Sequence, residues 1–294
     1  MITIGIGAYK EENTIGKAID NIMSQKIGEK FEIIVACPDK GTADVIRELR
    51  KKNKNLKLIK EKKREGQPAA YNKIIEKAKG RIIVFTDADA VLEKNSIKKI
   101  IDVFKDERVG AAGGRPKPLN KRNNMFGFWA HFLFEAAHKL RKDLVKRNEF
   151  YYITGPLCAI RKGIIDSMPK NAMATDVVLG YLIKKKGWKV VYVPDAVVYQ
   201  KAPTNLNDFF AQKIRTMAGF YQFKQMFNVR PVRSASAESR YILDGLKFTK
   251  NLKEKFWFFE LLFFRVVAWI LAWWNLNIKK KNIAQIWTTV DSTK

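Results

Sequence analysis

Short apolar runs alternate with amphipathic stretches from Met1 to about Gly114. Five runs rich in β-branched residues predict strands: Ile2–Ile6, Glu32–Ala36, Leu56–Lys60, Arg81–Thr86 and Val109–Ala112. The stretches between them carry apolar residues at helical spacing and predict helices: Thr14–Gln25, Thr42–Lys52, Pro68–Lys79 and Asn95–Phe104. This alternation predicts an α/β domain whose parallel sheet is wound with helices.

Polar residues follow three of these predicted strands. In open α/β sheets, ligands bind beyond the carboxyl ends of the strands. We therefore expect Tyr9–Glu12, Asp39–Thr42 and Asp87–Asp89 to meet at one rim of the sheet, where the chemistry should lie.

The rest of the chain divides at a polar stretch, Arg230–Arg240, which is typical of a linker. Before it, we predict an aromatic helix at Asn124–Arg141, a strand region at Tyr151–Arg161, a helix at Thr175–Lys186, and strands at Lys189–Val193 and Val197–Gln200. The predicted organisation is a catalytic domain at 1–229, a linker and basic helical region at 230–255, and a membrane-associating helix with a C-terminal tail at 256–294.

Two carboxylates follow the fourth predicted strand, in the sequence Asp87-Ala88-Asp89. On an extended chain, alternate residues point the same way, so both carboxylates are expected to converge on one cation. Mg²⁺ or Mn²⁺ held by carboxylates and diphosphate oxygens is common where a phosphate group leaves. The motif alone is equally compatible with acidic residues that simply end a strand.

Further motifs occur in a fixed order around this pair. They are Arg64, Gly66, Ala70 and Asn72; Thr154-Gly155 followed by Arg161; Ala174-Thr175-Asp176; and Gln212-Lys213-Ile214-Arg215-Thr216. With Asp87-Ala88-Asp89, this order resembles the inverting GT-A glycosyltransferases of the family-two type, especially the branch related to cellulose and hyaluronan synthases. The resemblance covers roughly residues 2 to 220.

The resemblance implies a GT-A fold, a Rossmann-like α/β sheet, and a role for each matching residue. Asp87 and Asp89 would bind the donor diphosphate through Mn²⁺ or Mg²⁺, and Asp176 would be the catalytic base. The residues implied for nucleotide-sugar binding are Ala8, Tyr9, Glu11, Asp39, Arg64, Gly66, Asp87 and Ala88. Those implied for the acceptor or the diphosphate are Thr154, Gly155, Gln212 and Arg215.

The chain departs from the family pattern at several of these motifs. The family's Asn-Glu pair after the first strand is replaced by Lys10-Glu11-Glu12, and its nucleobase-binding Asp pair by Cys37-Pro38-Asp39. Thr175 stands where the family has Glu, and Thr216 stands where it has Trp. These departures leave the nucleobase, the acceptor and processivity open.

The chemistry of glycosyl transfer suggests similar roles for these carboxylates, independently of the family resemblance. Transfer to a hydroxyl needs a base, and Asp176 is a candidate across the pocket from the leaving diphosphate. Direct attack opposite the leaving group would invert the anomeric centre. For Asp176 the alternative is a carboxylate favoured at a helix N-terminus by the helix dipole, and for Arg215 it is an exposed helix charge.

The composition of the chain also predicts a polyanionic partner. Lys and Arg total 56 against 29 Asp and Glu, a formal charge of +27, which favours nucleic acid, anionic lipid or a phosphorylated substrate. The two cysteines, Cys37 and Cys158, lack metal-ligand spacing, and no signal-peptide pattern precedes Ile2. We expect a reducing, cytoplasmic setting.

The most apolar part of the chain is Phe256–Ile278. Its length approaches the ~20 residues of a membrane span, but Glu260 and Arg265 interrupt it and lysines flank both ends. A single span would place one basic cluster outside. We therefore expect an interfacial or re-entrant helix on anionic lipid with both ends cytoplasmic, the alternatives being a single span and a buried or dimer-forming helix.

The resulting prediction is a glycosyltransferase at the cytoplasmic membrane face. Its expected partners are a nucleotide-sugar donor, a lipid-linked or saccharide acceptor and an anionic membrane surface, with a homodimer left open. Two other functions compete: a sugar nucleotidyltransferase, whose Gly-rich loop is missing from Gly7-Ala8-Tyr9-Lys10-Glu11, and a basic nucleic-acid-binding protein, for which no module is recognisable. A catalytically dead scaffold is disfavoured because both metal-binding carboxylates and Asp176 are present.

Overall fold

The structure is a computed structural model that describes residues 1–229, 242–281, 283–286 and 290–293. The chain forms two compact units, each built from separate segments. The sheet unit comprises Met1–Pro116, Arg141–Lys170 and Thr175–Gln200. The helical unit comprises Lys117–Leu140, Asn171–Ala174 and Lys201–Lys294.

A single eight-stranded sheet organises the first unit, with strand order β3-β2-β1-β4-β7-β6-β8-β5. The strands are β1 (Ile2–Gly7), β2 (Phe31–Cys37), β3 (Leu56–Lys60), β4 (Ile82–Thr86), β5 (Val91–Leu92), β6 (Val109–Pro118), β7 (Leu157–Arg161) and β8 (Lys189–Gln200). The first four strands in this order pair in parallel. Strand β7 runs antiparallel to both β4 and β6, and β5 pairs antiparallel with β8.

The helices that begin in the sheet unit connect or follow its strands. They are α1 (Ile15–Met23), α2 (Lys40–Lys52), α3 (Gln67–Lys77), α4 (Ser96–Asp102) and α6 (Thr175–Lys185), with a 3₁₀ turn at Val103–Lys105. Helix α1 shows why they form, since its buried residues Ile15, Ala18, Ile19 and Ile22 recur at helical spacing.

Both faces of the sheet are covered, as a parallel sheet requires. On one face, Ile2, Ile4 and Ile6 of β1 are fully buried in an aliphatic core. On the other, Tyr71 of α3 stacks on Phe85 of β4 with ring centroids 4.0 Å apart. Gly5 lies beneath α3, where an added Cβ would approach the Ile74 side chain to 2.7 Å, so a larger residue would require that side chain to shift.

The remaining helices are α5 (Met125–Lys146), α7 (Leu206–Phe227), α8 (Ile242–Phe248), α9 (Leu252–Trp273) and α10 (Ile283–Ile286). Helix α9 continues into a π-helical turn at Trp274–Ile278, and a 3₁₀ turn covers Asp291–Thr293. An aromatic cluster forms the main core of the helical unit: Phe128, Trp129, Phe132, Phe209, Phe258 and Leu261. The Arg122 guanidinium ties this unit together by donating to both Glu254 oxygens, at 2.9 and 2.7 Å, and to the Phe248 carbonyl at 2.7 Å.

The α/β fold class is confirmed, and each of the first five predicted strands is present. Three details of the prediction were wrong. The sheet is mixed, because β7 inserts antiparallel between β4 and β6; β8 is one strand where two were predicted; and only Leu157–Arg161 of the region Tyr151–Arg161 is a strand. The short strand β5 was not predicted. The linker Arg230–Arg240 lies outside the described residues, and the domain limits at 229 and 255 stay predictions.

Candidate active site

The loops after β1 and β2 are joined by hydrogen bonds at the carboxyl end of the sheet. The Lys10 backbone N–H donates to Oδ1 of Asp39 at 3.0 Å, and the Glu11 N–H donates to the Thr42 hydroxyl at 2.9 Å. Parallel pairing of β1 with β4, in which Gly5 opposes Phe85, brings the end of β4 to the same rim. The predicted meeting of the three polar segments is confirmed.

Asp39 stabilises the start of α2 at this rim. It is the N-cap of α2, and its Oδ2 accepts the Thr42 backbone N–H at 2.9 Å. Burial acts to raise the pKa of Asp39, but the hydrogen bonds from Thr42 and Lys10 outweigh it, so the net pKa is lowered. The carboxylate is therefore ionised and fixed, and its predicted contact with the donor stays a prediction.

Tyr9 and Arg64 form a flat stack beside Asp39's loop. The Arg64 guanidinium lies over the Tyr9 ring at 4.2 Å from the centroid, and the Lys10 amine lies 5.7 Å from the same centroid. Arg64 belongs to the exposed loop before α3, whose N-cap Gly66 has φ +92°, a backbone conformation that favours glycine. An aromatic ring and two cations suit a nucleotide's base and phosphates.

Ala8 and Glu11 complete the predicted donor-binding segment after β1. Ala8 is buried, and its N–H donates to the Ala36 carbonyl at 2.9 Å, which extends the β1–β2 ladder by one bond. Glu11 accepts the Thr14 hydroxyl proton at its Oε2, 2.6 Å away. Both residues shape the loop, and their contacts with a donor stay predictions.

The Asp87-Ala88-Asp89 motif is a turn in the structure. Strand β4 ends at Thr86, and the Ala90 N–H closes the turn on the Asp87 carbonyl at 3.4 Å. The expectation that an extended chain directs both carboxylates the same way was wrong, because the chain turns directly after Thr86. Both carboxylates are nevertheless half-buried while Ala88 between them is buried.

Gln200 is a site residue that the sequence did not indicate. It is the last residue of β8, and its Nε2 donates to Oδ2 of Asp87 at 3.0 Å. The contact joins residues 113 positions apart and belongs to no recognisable motif. Pairing of β8 with β5, just after Asp89, brings it there.

Asp176 lies half-buried in the first turn of α6. Its Oδ1 accepts the Val177 N–H at 3.0 Å, and its Oδ2 accepts the Gly155 N–H at 3.1 Å. Burial raises the pKa of Asp176, and the two backbone hydrogen bonds and the charge of Arg141 oppose that rise without cancelling it. A carboxylate with a raised pKa is a stronger base than an ordinary aspartate, which suits proton abstraction.

The β4–β7 pairing brings Asp176 and Asp87 to the same end of β4. Thr86 opposes Leu157 in the register, and the Thr86 hydroxyl donates to the Pro156 carbonyl at 2.8 Å, so the loop bearing Gly155 lies at the end of β4. The charges of Asp87 and Asp176 both act on Tyr71 and on Cys158. The pKa of each is raised first by burial and then by the negative charges of Asp87 and Asp176.

The negative charge of Asp87 and Asp89 fits a divalent cation. In the part of the chain that the structure describes, no three His, Cys, Asp or Glu side chains are grouped to hold a metal. Two carboxylates alone suit Mg²⁺ or Mn²⁺ when diphosphate oxygens and water supply the remaining ligands. The residues present therefore fit a cation that arrives with a nucleotide donor.

The predicted acceptor and diphosphate residues fall into both units. The buried Thr154 hydroxyl lies 3.1 Å from the Gly114 carbonyl oxygen and 2.7 Å from that of Leu157, which fixes the loop that carries Gly155. Gln212 and Arg215 lie one turn apart on α7 of the helical unit, where Gln212 Oε1 accepts the Lys213 amine at 2.9 Å. The roles of all four residues toward substrates stay predictions.

Comparison with known proteins identifies the family. The sequence profile described as glycosyltransferase like family 2 matches residues 2–219. The chain belongs to this family. Curated relatives include poly-β-1,6-N-acetyl-D-glucosamine synthase of Staphylococcus aureus, 22% identical over 227 residues, covering 75% of this chain and 55% of the relative. The enzyme of that name from Staphylococcus epidermidis is 20% identical over 226 residues, with the same coverage of 75% and 55%. The chain thus spans about half the length of these relatives.

Solved structures of glycosyltransferases share the fold. A mannosyltransferase from Pyrobaculum calidifontis, in complex with GDP-Man and Mn²⁺, superposes with a TM-score of 0.68 at 18% identity, covering 93% of this chain and 87% of that one. Residues 1–349 of S. aureus TarS, in complex with UDP-GlcNAc, give 0.52 at 15% identity, covering 91% and 81%. The predicted family, the GT-A fold and the glycosyltransferase class are confirmed.

The predicted apolar C-terminal helix is also present. Residues Leu252–Ile278 form a helix that contains an 18-residue window with a mean hydropathy of 1.7, long and apolar enough to cross a membrane by length and composition. A core helix of a protein in water meets the same criteria, so the arrangement of its side chains has to decide what it does.

Proposed function

We propose that this family-2 member is a metal-dependent, inverting glycosyltransferase. It would move a sugar from a nucleotide-sugar donor to a lipid-linked or saccharide acceptor at the cytoplasmic face of the membrane. The observation that carries the proposal is the hydrogen bond between Gly155 and Asp176, because it holds a half-buried carboxylate of raised pKa at the end of the strand that leads to Asp87.

In this mechanism Asp176 is the general base. Its carboxylate removes the proton of the acceptor hydroxyl as that oxygen attacks the anomeric carbon. Attack comes from the side opposite the leaving diphosphate, so the anomeric configuration inverts. The Val177 and Gly155 N–H groups orient the Asp176 carboxylate.

Asp87 and Asp89 would hold Mn²⁺ or Mg²⁺ at the leaving side. When bound, the cation would neutralise charge that develops on the departing nucleoside diphosphate. Gln200 orients the Asp87 carboxylate through its Oδ2, and Arg64 and Lys10 add positive charge beside Tyr9. Cation and basic side chains together would stabilise the leaving group.

The donor class is supported by the structural neighbours, which were solved with GDP-Man and Mn²⁺ and with UDP-GlcNAc. Because these chains are less than a fifth identical to this one, they do not select between a guanine and a uracil donor. A saccharide acceptor is supported by the curated relatives, which are named for synthesis of a polysaccharide. Lipid linkage of the acceptor is supported by the apolar helix.

A donor screen tests the proposal. UDP- and GDP-sugars are incubated with the full chain and Mn²⁺ or Mg²⁺, and released nucleoside diphosphate is measured with and without EDTA. We expect metal-dependent release from one nucleotide class. Pyrophosphate release instead would identify a sugar nucleotidyltransferase, and salt-sensitive binding of DNA or RNA without any donor turnover would favour the nucleic-acid alternative.

A further inference from the structure

Helix α9 has two apolar faces with different surroundings. One face is buried inside the helical unit. Phe258 and Leu261 belong to its aromatic core, and Ala268 and Ala272 pack against Met217 of α7 in a second cluster. The backbone carbonyl of Trp257 accepts the Trp129 indole N–H at 2.7 Å, which also fastens this face.

The opposite face is exposed along the length of the helix. We name it the outer stripe: Leu252 (81% exposed), Phe256 (63%), Phe259 (58%), Phe263 (64%), Val266 (59%), Ile270 (58%) and Trp273 (54%). The members recur at alternating intervals of four and three residues, so they lie within an arc of about 100° on the helix. A contiguous apolar patch of this kind marks an interaction site.

The charges that interrupt this segment in sequence do not lie on the outer stripe. At 3.6 residues per turn, Glu260 lies about 90° from the centre of the stripe and Arg265 about 130° from it. From Phe256 to Trp273 the stripe therefore contains no charged residue. Lysines gather only at its ends: Lys250, Lys253 and Lys255 lie around its first residue, Leu252, and Lys279, Lys280 and Lys281 follow it.

We propose that the outer stripe docks α9 flat on an anionic lipid surface, without crossing it. This inference rests on the membrane location in the proposed function and identifies the residues that make the contact. A spanning helix is surrounded by lipid unless other helices span beside it, whereas here Phe258, Leu261 and Ala268 are committed to their own unit's core. In-plane docking leaves that core intact, buries the stripe at the boundary of headgroups and acyl chains, and keeps both lysine clusters on one side.

Lipid fits the outer stripe better than a second copy of the chain. Helix pairs that use such a four-three repeat favour Leu, Ile and Val at the repeating positions, while four of the seven positions here are Phe or Trp. Aromatic residues are typical of membrane interfaces. The exposed lysines at both ends would attract anionic headgroups, whereas in a parallel helix pair they would repel each other.

Vesicle sedimentation tests the contact. The full chain is mixed with vesicles of phosphatidylcholine, with or without phosphatidylglycerol. Each half-exposed apolar side chain should contribute about fivefold to binding, so combining Phe259→Ser, Phe263→Ser and Ile270→Ser should lower partitioning ~100-fold. The matched control combines Leu119→Ser and Val145→Ser, which are each 48% exposed outside α9, and it should bind as the parent does.

A labelling experiment tests the orientation. Single cysteines at Lys250→Cys and Lys279→Cys flank the stripe, Asp195→Cys marks an exposed site of the sheet unit, and the native Cys37 and Cys158 are buried. In sealed vesicles from expressing cells, we expect an impermeant maleimide to label all three sites from the same side. Protection of only one flanking site would show a span and overturn the proposal.

Two further results would also overturn it. One is unchanged vesicle binding by the triple serine variant. The other is a concentration-dependent dimer of the parent, absent in that variant, with no vesicle binding by either protein. Metal-dependent release of nucleoside diphosphate from a soluble donor is measured in parallel. If the full chain releases nucleoside diphosphate but does not bind vesicles, the proposed docking surface is wrong and the proposed chemistry is unaffected.

Discussion

Replacing Asp176 with Asn removes the proposed base while preserving its shape. An amide has one acceptor oxygen, whereas the carboxylate accepts the Val177 N–H on Oδ1 and the Gly155 N–H on Oδ2. One of these donors therefore loses its acceptor, at a cost of about 1–3 kcal/mol. Loss of a buried charge offsets this, because burial raises the pKa of Asp176 and so disfavours its ionised form in the fold. We expect the variant to remain folded.

The rate should respond far more than stability does. Removing a general base lowers transfer by about 10²–10⁴-fold, which corresponds to about 3–5 kcal/mol of transition-state stabilisation. Donor affinity should be retained, because the proposed contacts of Asp176 are with the acceptor hydroxyl and with backbone N–H groups. The loss should therefore appear in the rate at saturating donor.

The assay uses the donor that the screen identifies. Initial rates of transfer and calorimetric donor affinity in the presence of metal are compared for the parent, Asp176→Asn and the control Asp195→Asn, which changes an exposed carboxylate of the same unit. Thermal unfolding confirms that each variant is folded. The reasoning fails if Asp176→Asn binds donor poorly yet transfers at the parental rate at saturation, since Asp176 would then be a donor-binding residue.

Four further predictions concern the same chain. Transfer should fall as pH decreases through the raised pKa of Asp176, above the ~3.9 of an ordinary aspartate, because protonation removes the base; a rate unchanged down to that value would contradict this. Asp89→Ala should abolish metal-dependent donor binding in calorimetry, and persistent binding insensitive to EDTA would rule out the metal. Gln200→Leu should weaken Mn²⁺ binding about tenfold, as measured by electron paramagnetic resonance. Gln200→Asn should restore Mn²⁺ binding only if the shorter amide still reaches Asp87. Arg122→Met should lower the free energy of unfolding by about 3 kcal/mol in denaturant titration, because Glu254 would keep its buried charge without its partner; a double variant with Glu254→Gln should recover part of that loss.

Local signals account for the parts of the fold that were predictable. Strands such as Ile2–Gly7 and Ile82–Thr86 are rich in apolar and β-branched residues, so their sequence alone indicates burial on both faces. The end of a strand follows from the same pattern, which is why the sequence placed Asp87 at the rim.

Long-range pairing accounts for what was missed. The antiparallel insertion of β7 depends on which edge of β4 is available, and that is a property of the whole sheet. Gln200 reaches Asp87 only because β8 pairs with β5. Helix α9 is apolar on two sides, so the sequence does not indicate which side is buried in the aromatic core and which stays exposed.

The pairing of β7 with both of its neighbours sets the position of the proposed base. Pairing with β4 and β6 fixes where the loop with Gly155 begins, and Gly155 in turn holds Asp176. A slip of one residue would shift that loop by ~3.3 Å and turn buried side chains such as Cys158 to the opposite face, so the sheet tolerates no intermediate spacing. In the proposed mechanism, the position of the base relative to the end of β4 is therefore set by strand register and not by the residues that contact the sugar or the acceptor.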